Sequence, residues 1–164
     1  MKSFSLLLIT FLFFSCNSPA QKSKTVEKET YKVNKTDAEW KAQLTPAEYN
    51  VLRHEGTEQA FSSDLNDNHA KGTYVCAGCG TPVFESEHKF DSGTGWPSFD
   101  RAIEGNVAYS TDNKVGYTRT EEHCAVCGGH LGHVFNDGPE ETTGKRHCIN
   151  GVALNFIPDN GEAK

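Results

Sequence analysis

The sequence predicts a mainly β domain with antiparallel sheets, entered through two short helices. Three observations carry this. After His69, segments rich in branched and aromatic residues recur with glycine-rich turns between them. No long helical pattern separates them, whereas parallel strands need such crossovers. Two Cys-x-x-Cys pairs, CAGCG and CAVCG, mark tight turns able to share one metal ion.

The elements follow in order. Met1 and Lys2 precede the apolar run Phe4–Phe14 (FSLLLITFLFF), then Ser15-Cys16. The run is shorter than the roughly 20 residues that span a bilayer, and fits a secretory signal. Ser15-Cys16 resembles a bacterial lipobox, with Phe13 departing from its small aliphatic residue. It predicts cleavage of residues 1–15, a lipid anchor on Cys16 and an exported lipoprotein, periplasmic or in the outer membrane. A plain signal peptide cut near Ala20 is the alternative. Residues 16–36, rich in Lys, Ser and Thr, read as a flexible tether. Residues 37–158 form one domain, and 159–164 a short tail. Asp37 is positioned to cap the helix in AEWKAQL. Thr45-Pro46-Ala47-Glu48 is a capping box with proline at the first helical position, and Gly56 a stop. GTYVC (72–76), NVAYS (106–110), VGYTR (115–119), HVF (133–135) and INGVALNFI (149–157) read as strands.

The formal charge of the 164-residue chain is −6 at pH 7. Such a surface repels phosphate backbones, so nucleic-acid binding is not expected.

The paired cysteines Cys76, Cys79, Cys124 and Cys127 carry the strongest motif. A two-residue gap lets both thiolates of one turn reach one ion, and four sulfurs close a tetrahedral site. This predicts a structural zinc. Two disulfides are the alternative in an exported chain. A redox Cys-x-x-Cys is disfavoured because it would open a helix.

Cys148, in RHCINGVALNF, is left over. On a strand, Arg146, Cys148 and Asn150 face one side, and His147 the other. The Arg146 cation is expected to lower the pKa of the thiol. Upstream, GGHLGHVFND carries His130 and His133, three apart, which can face one cavity as an acid/base pair with Asp137 orienting one ring. A second metal site made by these three is the alternative. In SGTGWPSF, Trp96 sits on a glycine loop where it can cover a ligand, and Phe99 reads as core.

CAGCG, KFDSGTGWPSF, CAVCGGHLGHVF and RHCINGVALNF, in this order, resemble the B-type methionine sulfoxide reductases over residues 37 to 158. The resemblance implies two antiparallel sheets and one structural zinc on Cys76, Cys79, Cys124 and Cys127. It implies reduction of the R epimer of methionine sulfoxide in proteins. Cys148 would be the nucleophile, Trp96 the wall against the substrate methyl, and His130 and His133 the pair that holds and protonates the sulfoxide oxygen. Arg146, Asp137 and Asn150 would tune or organise the site.

The sequence departs from the family pattern twice. Thr94 stands where many members have a resolving cysteine, which implies a one-cysteine cycle closed by an external, thioredoxin-like thiol. His147 stands where an aromatic residue is common. The expected partners are oxidised proteins and this reductant, with the membrane reached through the lipid alone and the protein a monomer. A zinc-scaffold binding module would leave Cys148, His130, His133 and Trp96 without work. A zinc hydrolase using both histidines is the enzymatic alternative.

Overall fold

A computed structural model describes residues 31–159. The expected signal sequence, Cys16 and most of the expected tether lie outside the described residues. Within them, no helix is long and apolar enough to cross a membrane.

The chain is already held at its first described residues. Val33 N donates to Val126 O at 2.9 Å, and the Tyr31 ring meets His123 edge-on. The end of the stretch expected as tether therefore lies against the second cysteine turn. Helix α1 (Asp37–Gln43) is capped by Thr36, whose hydroxyl accepts from Glu39 N while Glu39 reaches back to Thr36 N. The sequence reading placed this cap one residue late, at Asp37. The capping box lies across Thr36 and Glu39, and Asp37 is left free to pair with Lys41. Helix α2 (Pro46–His54) begins with the expected Thr45–Glu48 box. It ends on Glu55 in a left-handed conformation, one residue before Gly56.

Two antiparallel sheets follow, as the sequence predicts. The first has the order β2-β1-β9, from β1 (Gly72–Cys76), β2 (Pro82–Glu85) and β9 (Leu154–Pro158). The second runs β3-β4-β8-β7-β6-β5. Its strands are β3 (Lys89–Phe90), β4 (Ser98–Phe99), β5 (Val107–Asp112), β6 (Arg119–Cys124), β7 (His130–Phe135) and β8 (Arg146–Ile149). Two expected strands are redrawn. VGYT (115–118) is the turn between β5 and β6, and Gly116 takes φ 85° there. INGVALNFI is broken by a 3₁₀ turn at Gly151–Ala153, which carries the chain from one sheet to the other.

The core lies between the sheets and under the helices. Phe84 stacks on Phe99 with centroids 4.4 Å apart, and Tyr74 bridges Phe99 and Phe156. Phe99 is fully buried, as expected. His147 also faces inward, beside Phe84, with Nδ1 2.5 Å from the buried carboxylate of Glu122. This turns its strand neighbours Arg146 and Cys148 to the opposite face.

Candidate active site and cysteine cluster

Direct pairing builds the site as one row across the second sheet. Ser98 of β4 lies opposite Cys148 of β8, Cys148 opposite His133 of β7, His133 opposite Glu121 of β6, and Glu121 opposite Ser110 of β5. Paired residues share a face, so these side chains stand in line. The approach of β7 to β8 demands a glycine. A Cβ on Gly132 would fall 2.0 Å from the Cys148 carbonyl oxygen.

A cavity of about 130 Å³ opens over this row, lined by Cys148, His133, Trp96, Asn150, Arg119 and Phe135, with Thr57 and Gly132 completing it.

Trp96 is held at the cavity wall by its indole N–H, which donates to Glu58 O at 3.3 Å. Glu58 is the hub of this side. Its carboxylate accepts from Gly151 N at 2.6 Å and Val152 N at 2.9 Å, and its own N–H donates to Asn150 Oδ1 at 3.0 Å. Asn150 in turn donates to Leu131 O at 3.0 Å. The sequence reading missed Glu58, a single acid in an irregular loop.

His133 Nε2 lies 2.9 Å from Asp112 Oδ2, and Arg119 pairs with the same oxygen. The backbone N–H of Lys114 holds the Asp112 carboxyl down at about 2, helped by His133 and Arg119. Burial lowers the His133 pKa, and Asp112 acts against that. His130 lies beside it, ring centroids 5.4 Å apart, with Nδ1 2.7 Å from Glu121. Residues three apart on a regular strand face opposite sides. Here Glu122 pairs with Gly132 but His123 with His130, so Leu131 is the extra residue of a β-bulge that restores a common face. His133 lines the cavity, whereas His130 is 2% exposed and does not.

Asp137 orients neither ring. It forms a two-point pair with Arg146, Nε to Oδ1 and Nη2 to Oδ2, both 2.9 Å. The partners of the histidines are Asp112 and Glu121, which distant pairing of β5 and β6 brings in. Arg146 lies over the Phe135 ring at 4.6 Å and interacts with Cys148. The alternative of a second metal site is not built: among the described residues, His130, His133 and Asp137 do not converge as a ligand group.

The Cys148 thiol also differs from expectation. Burial pushes its pKa up, and the Arg146 charge and Thr94 hydroxyl only partly oppose this. The cation is where the sequence placed it, but desolvation outweighs it.

Beside α2, where Arg53 donates to Cys127 O, Cys76, Cys79, Cys124 and Cys127 bring their sulfurs within 4.8 Å of one another. Cys76–Cys127 and Cys79–Cys124 are 3.7 and 3.5 Å apart, far beyond the roughly 2.05 Å of a disulfide. They match the edge of a sulfur tetrahedron around a metal, about 3.8 Å for a metal–sulfur distance near 2.3 Å. Gly80 and Gly128, at φ 74° and 69°, close the two turns. The four residues fit a structural metal site.

A family profile described as the SelR domain matches residues 44–158. The chain belongs to the methionine sulfoxide reductase B family. It is 54% identical over 127 residues to the peptide methionine sulfoxide reductase MsrB of Leptospira interrogans, covering 77% of this chain and 96% of that protein. The protein of the same name from Thiobacillus denitrificans is 54% identical over 125 residues, covering 76% and 94%. That of Bradyrhizobium diazoefficiens is 50% identical over 141 residues, covering 85% and 99%. Membership in this oxidoreductase family makes the cavity over Cys148 the place to look for the chemistry.

Proposed function

We propose that the protein reduces the R epimer of methionine sulfoxide in oxidised proteins, with Cys148 as nucleophile in a one-cysteine cycle. The observation that carries this is the shared cavity: a thiol, an indole wall and a carboxylate-held imidazole converge on space for one small group. The substrate methyl lies against Trp96 and the sulfoxide oxygen toward His133. Hydrogen bonding to that oxygen makes the sulfur electrophilic. The Cys148 sulfur attacks it, the sulfur–oxygen bond of the substrate breaks, and the oxygen ends on Cys148 as a sulfenic acid. Methionine leaves, reduced by two electrons. A wall on one side and a donor on the other make the site chiral, and the family resemblance supplies the R preference.

The sulfenic acid is then reduced by two external thiols, giving water, the free Cys148 thiol and a disulfide on the donor. A thioredoxin-like protein is the expected donor. Thr94 stands by the nucleophile without a thiol, and the other described cysteines form the metal cluster. Zinc would sit on Cys76, Cys79, Cys124 and Cys127 and hold the two turns together, supplying no open position for substrate. The protein is read as an exported bacterial lipoprotein anchored through Cys16, acting as a monomer. Incorporation of labelled palmitate, lost in Cys16→Ser, tests the anchor.

The deciding experiment is an assay of peptides carrying each sulfoxide epimer, with a dithiol reductant, for wild type and Cys148→Ser. Turnover of the R epimer alone, abolished by the substitution, is expected. Turnover of the S epimer, or activity surviving in Cys148→Ser, overturns the reading.

A further inference from the structure

The cavity over Cys148, about 130 Å³, takes a methyl sulfoxide group but not the polypeptide that carries it. Thr57, on its rim, also lines a second and larger cleft of about 790 Å³. One wall of that cleft is the segment after α2, including Glu58, Ser62 and Leu65. The cleft is also lined by α2, through Asn50 and Val51, and by β9, through Leu154, Asn155 and Phe156. Among the described residues, β9 is an edge strand paired only with β1. Among the described residues, no hydrogen bond from outside the sheet reaches the backbone of residues 155–157. An open edge beside a cleft is where an extended chain can add as a further strand.

Phe61 is a second, independent observation. It takes φ 62°, a left-handed conformation that strains a bulky residue, and its ring is 69% exposed. Its N–H donates to Gly95 O at 2.7 Å, and a Cβ on Gly95 would lie 2.9 Å from its ring. Phe61 thus lies against the loop that carries Trp96, and the next residue, Ser62, lines the cleft. The fold accepts backbone strain here to hold an apolar ring in water.

We propose that Phe61 and the cleft along β9 are the docking surface for the substrate polypeptide. An extended segment beside the oxidised methionine lies along the β9 edge, and an apolar side chain next to that methionine covers Phe61. The proposal rests on the methionine sulfoxide reading. Recognition through main chain and one apolar contact is tolerant of sequence, which suits an enzyme that meets oxidised methionine in many unfolded contexts.

Three R-sulfoxide substrates test it: N-acetylmethionine sulfoxide, a peptide with leucines flanking the sulfoxide, and the same peptide N-methylated on its flanking amides. Each is assayed with wild type and Phe61→Gly, in which glycine relieves the left-handed backbone and so keeps the fold. The leucine peptide is expected to show a KM about tenfold below that of the single residue in wild type. N-methylation and Phe61→Gly should each remove most of that advantage, with kcat and the KM of the single residue unchanged. Equal KM for all three substrates in wild type overturns the proposal. So does a Phe61→Gly effect of equal size on the single residue. Absence of turnover with every substrate in wild type instead overturns the reductase reading beneath it.

Discussion

Cys148 and His133 face each other in direct antiparallel register, and the carboxylate behind His133 comes from Asp112, the last residue of β5. The imidazole is therefore fixed from one side while its partner strand presents the thiol. Asp112 raises the His133 pKa against the effect of burial. Removing that charge in Asp112→Asn lowers the pKa further and leaves less imidazolium to protonate the sulfoxide oxygen. The expected result is a kcat lower by roughly tenfold to a hundredfold at neutral pH, with the descending limb of the pH profile moved to lower pH. Rates of single turnover across pH measure this. An unchanged profile would show that His133 does not deliver the proton.

Thr94, on the glycine loop, interacts with the Cys148 thiol. A thiol placed there is close to any sulfenic acid formed on Cys148. Thr94→Cys is expected to end a turnover as an intramolecular disulfide, whereas the wild type ends with one added oxygen. Intact-mass measurement after one equivalent of substrate, without reductant, separates them. A disulfide involving Cys148 in the wild type contradicts the one-cysteine cycle.

The parts of the site that sequence disclosed are those set by local spacing. The Cys-x-x-Cys pairs fix their ligand geometry within each turn, and alternation along β8 puts Arg146 with Cys148 and turns His147 inward. What it concealed depends on long-range pairing. Asp112, Arg119 and Glu121 join the histidines only because β5 and β6 pair beside β7. The alternation of Arg119 and Glu121 in the RTE of β6 is the available signal, and Asp112, on β5, has none. The bulge at Leu131 leaves no mark in the sequence, yet it alone lets His130 and His133 share a face. The direction of the Cys148 pKa shift is hidden from the sequence for a similar reason. A neighbouring cation is visible in sequence, and the depth of burial is not. VGYT has the aromatic and branched residues of a strand, but the tight turn at Gly116 decides its conformation.

Loss of the metal should unfold the cysteine side of the domain. The cluster ties the turn after β1 to the turn after β6, so an ion bound there adds a link between them that chelation would remove. Cys79→Ser or prolonged chelation is expected to release one metal ion per chain and to lower the unfolding midpoint sharply. Elemental analysis with thermal unfolding checks both. One zinc retained in a variant lacking His130 and His133 would confine the metal to the four cysteines.

Glu58 holds the 3₁₀ turn after Cys148 through Gly151 N and Val152 N. Alanine leaves those two donors without their acceptor, at about 1–3 kcal/mol for each that stays buried. Glu58→Ala is thus expected to lose about 2–4 kcal/mol in urea unfolding, together with kcat/KM. The backbone bonds from Glu58 to Asn150 and Trp96 remain, so the site should be loosened and not abolished. A variant as stable as wild type would remove Glu58 from its place as hub.

Acid should act through the same carboxylates. His130 draws the Glu121 pKa down to about 2, against an ordinary value of 4.5, and the Lys114 N–H draws Asp112 down to about 2 from 3.8. Both folded values lie below the unfolded ones, so the unfolded chain binds more protons as acid is added. The stability they give is complete above the ordinary values and is lost as pH falls from there toward 2. His133, also lowered, adds to the loss as it is forced to take up a proton. Thiol protonation would also release a metal held by the four cysteines over an acidic range, so a variant is needed to separate the causes. Glu121→Gln can. It lacks one of the titrating groups, so wild type should be the more stable at about pH 6 and the gap should close as pH approaches about 2. Urea unfolding of both proteins across that range measures the gap. A difference constant with pH would mean that the His130–Glu121 contact does not hold the carboxylate in its charged form.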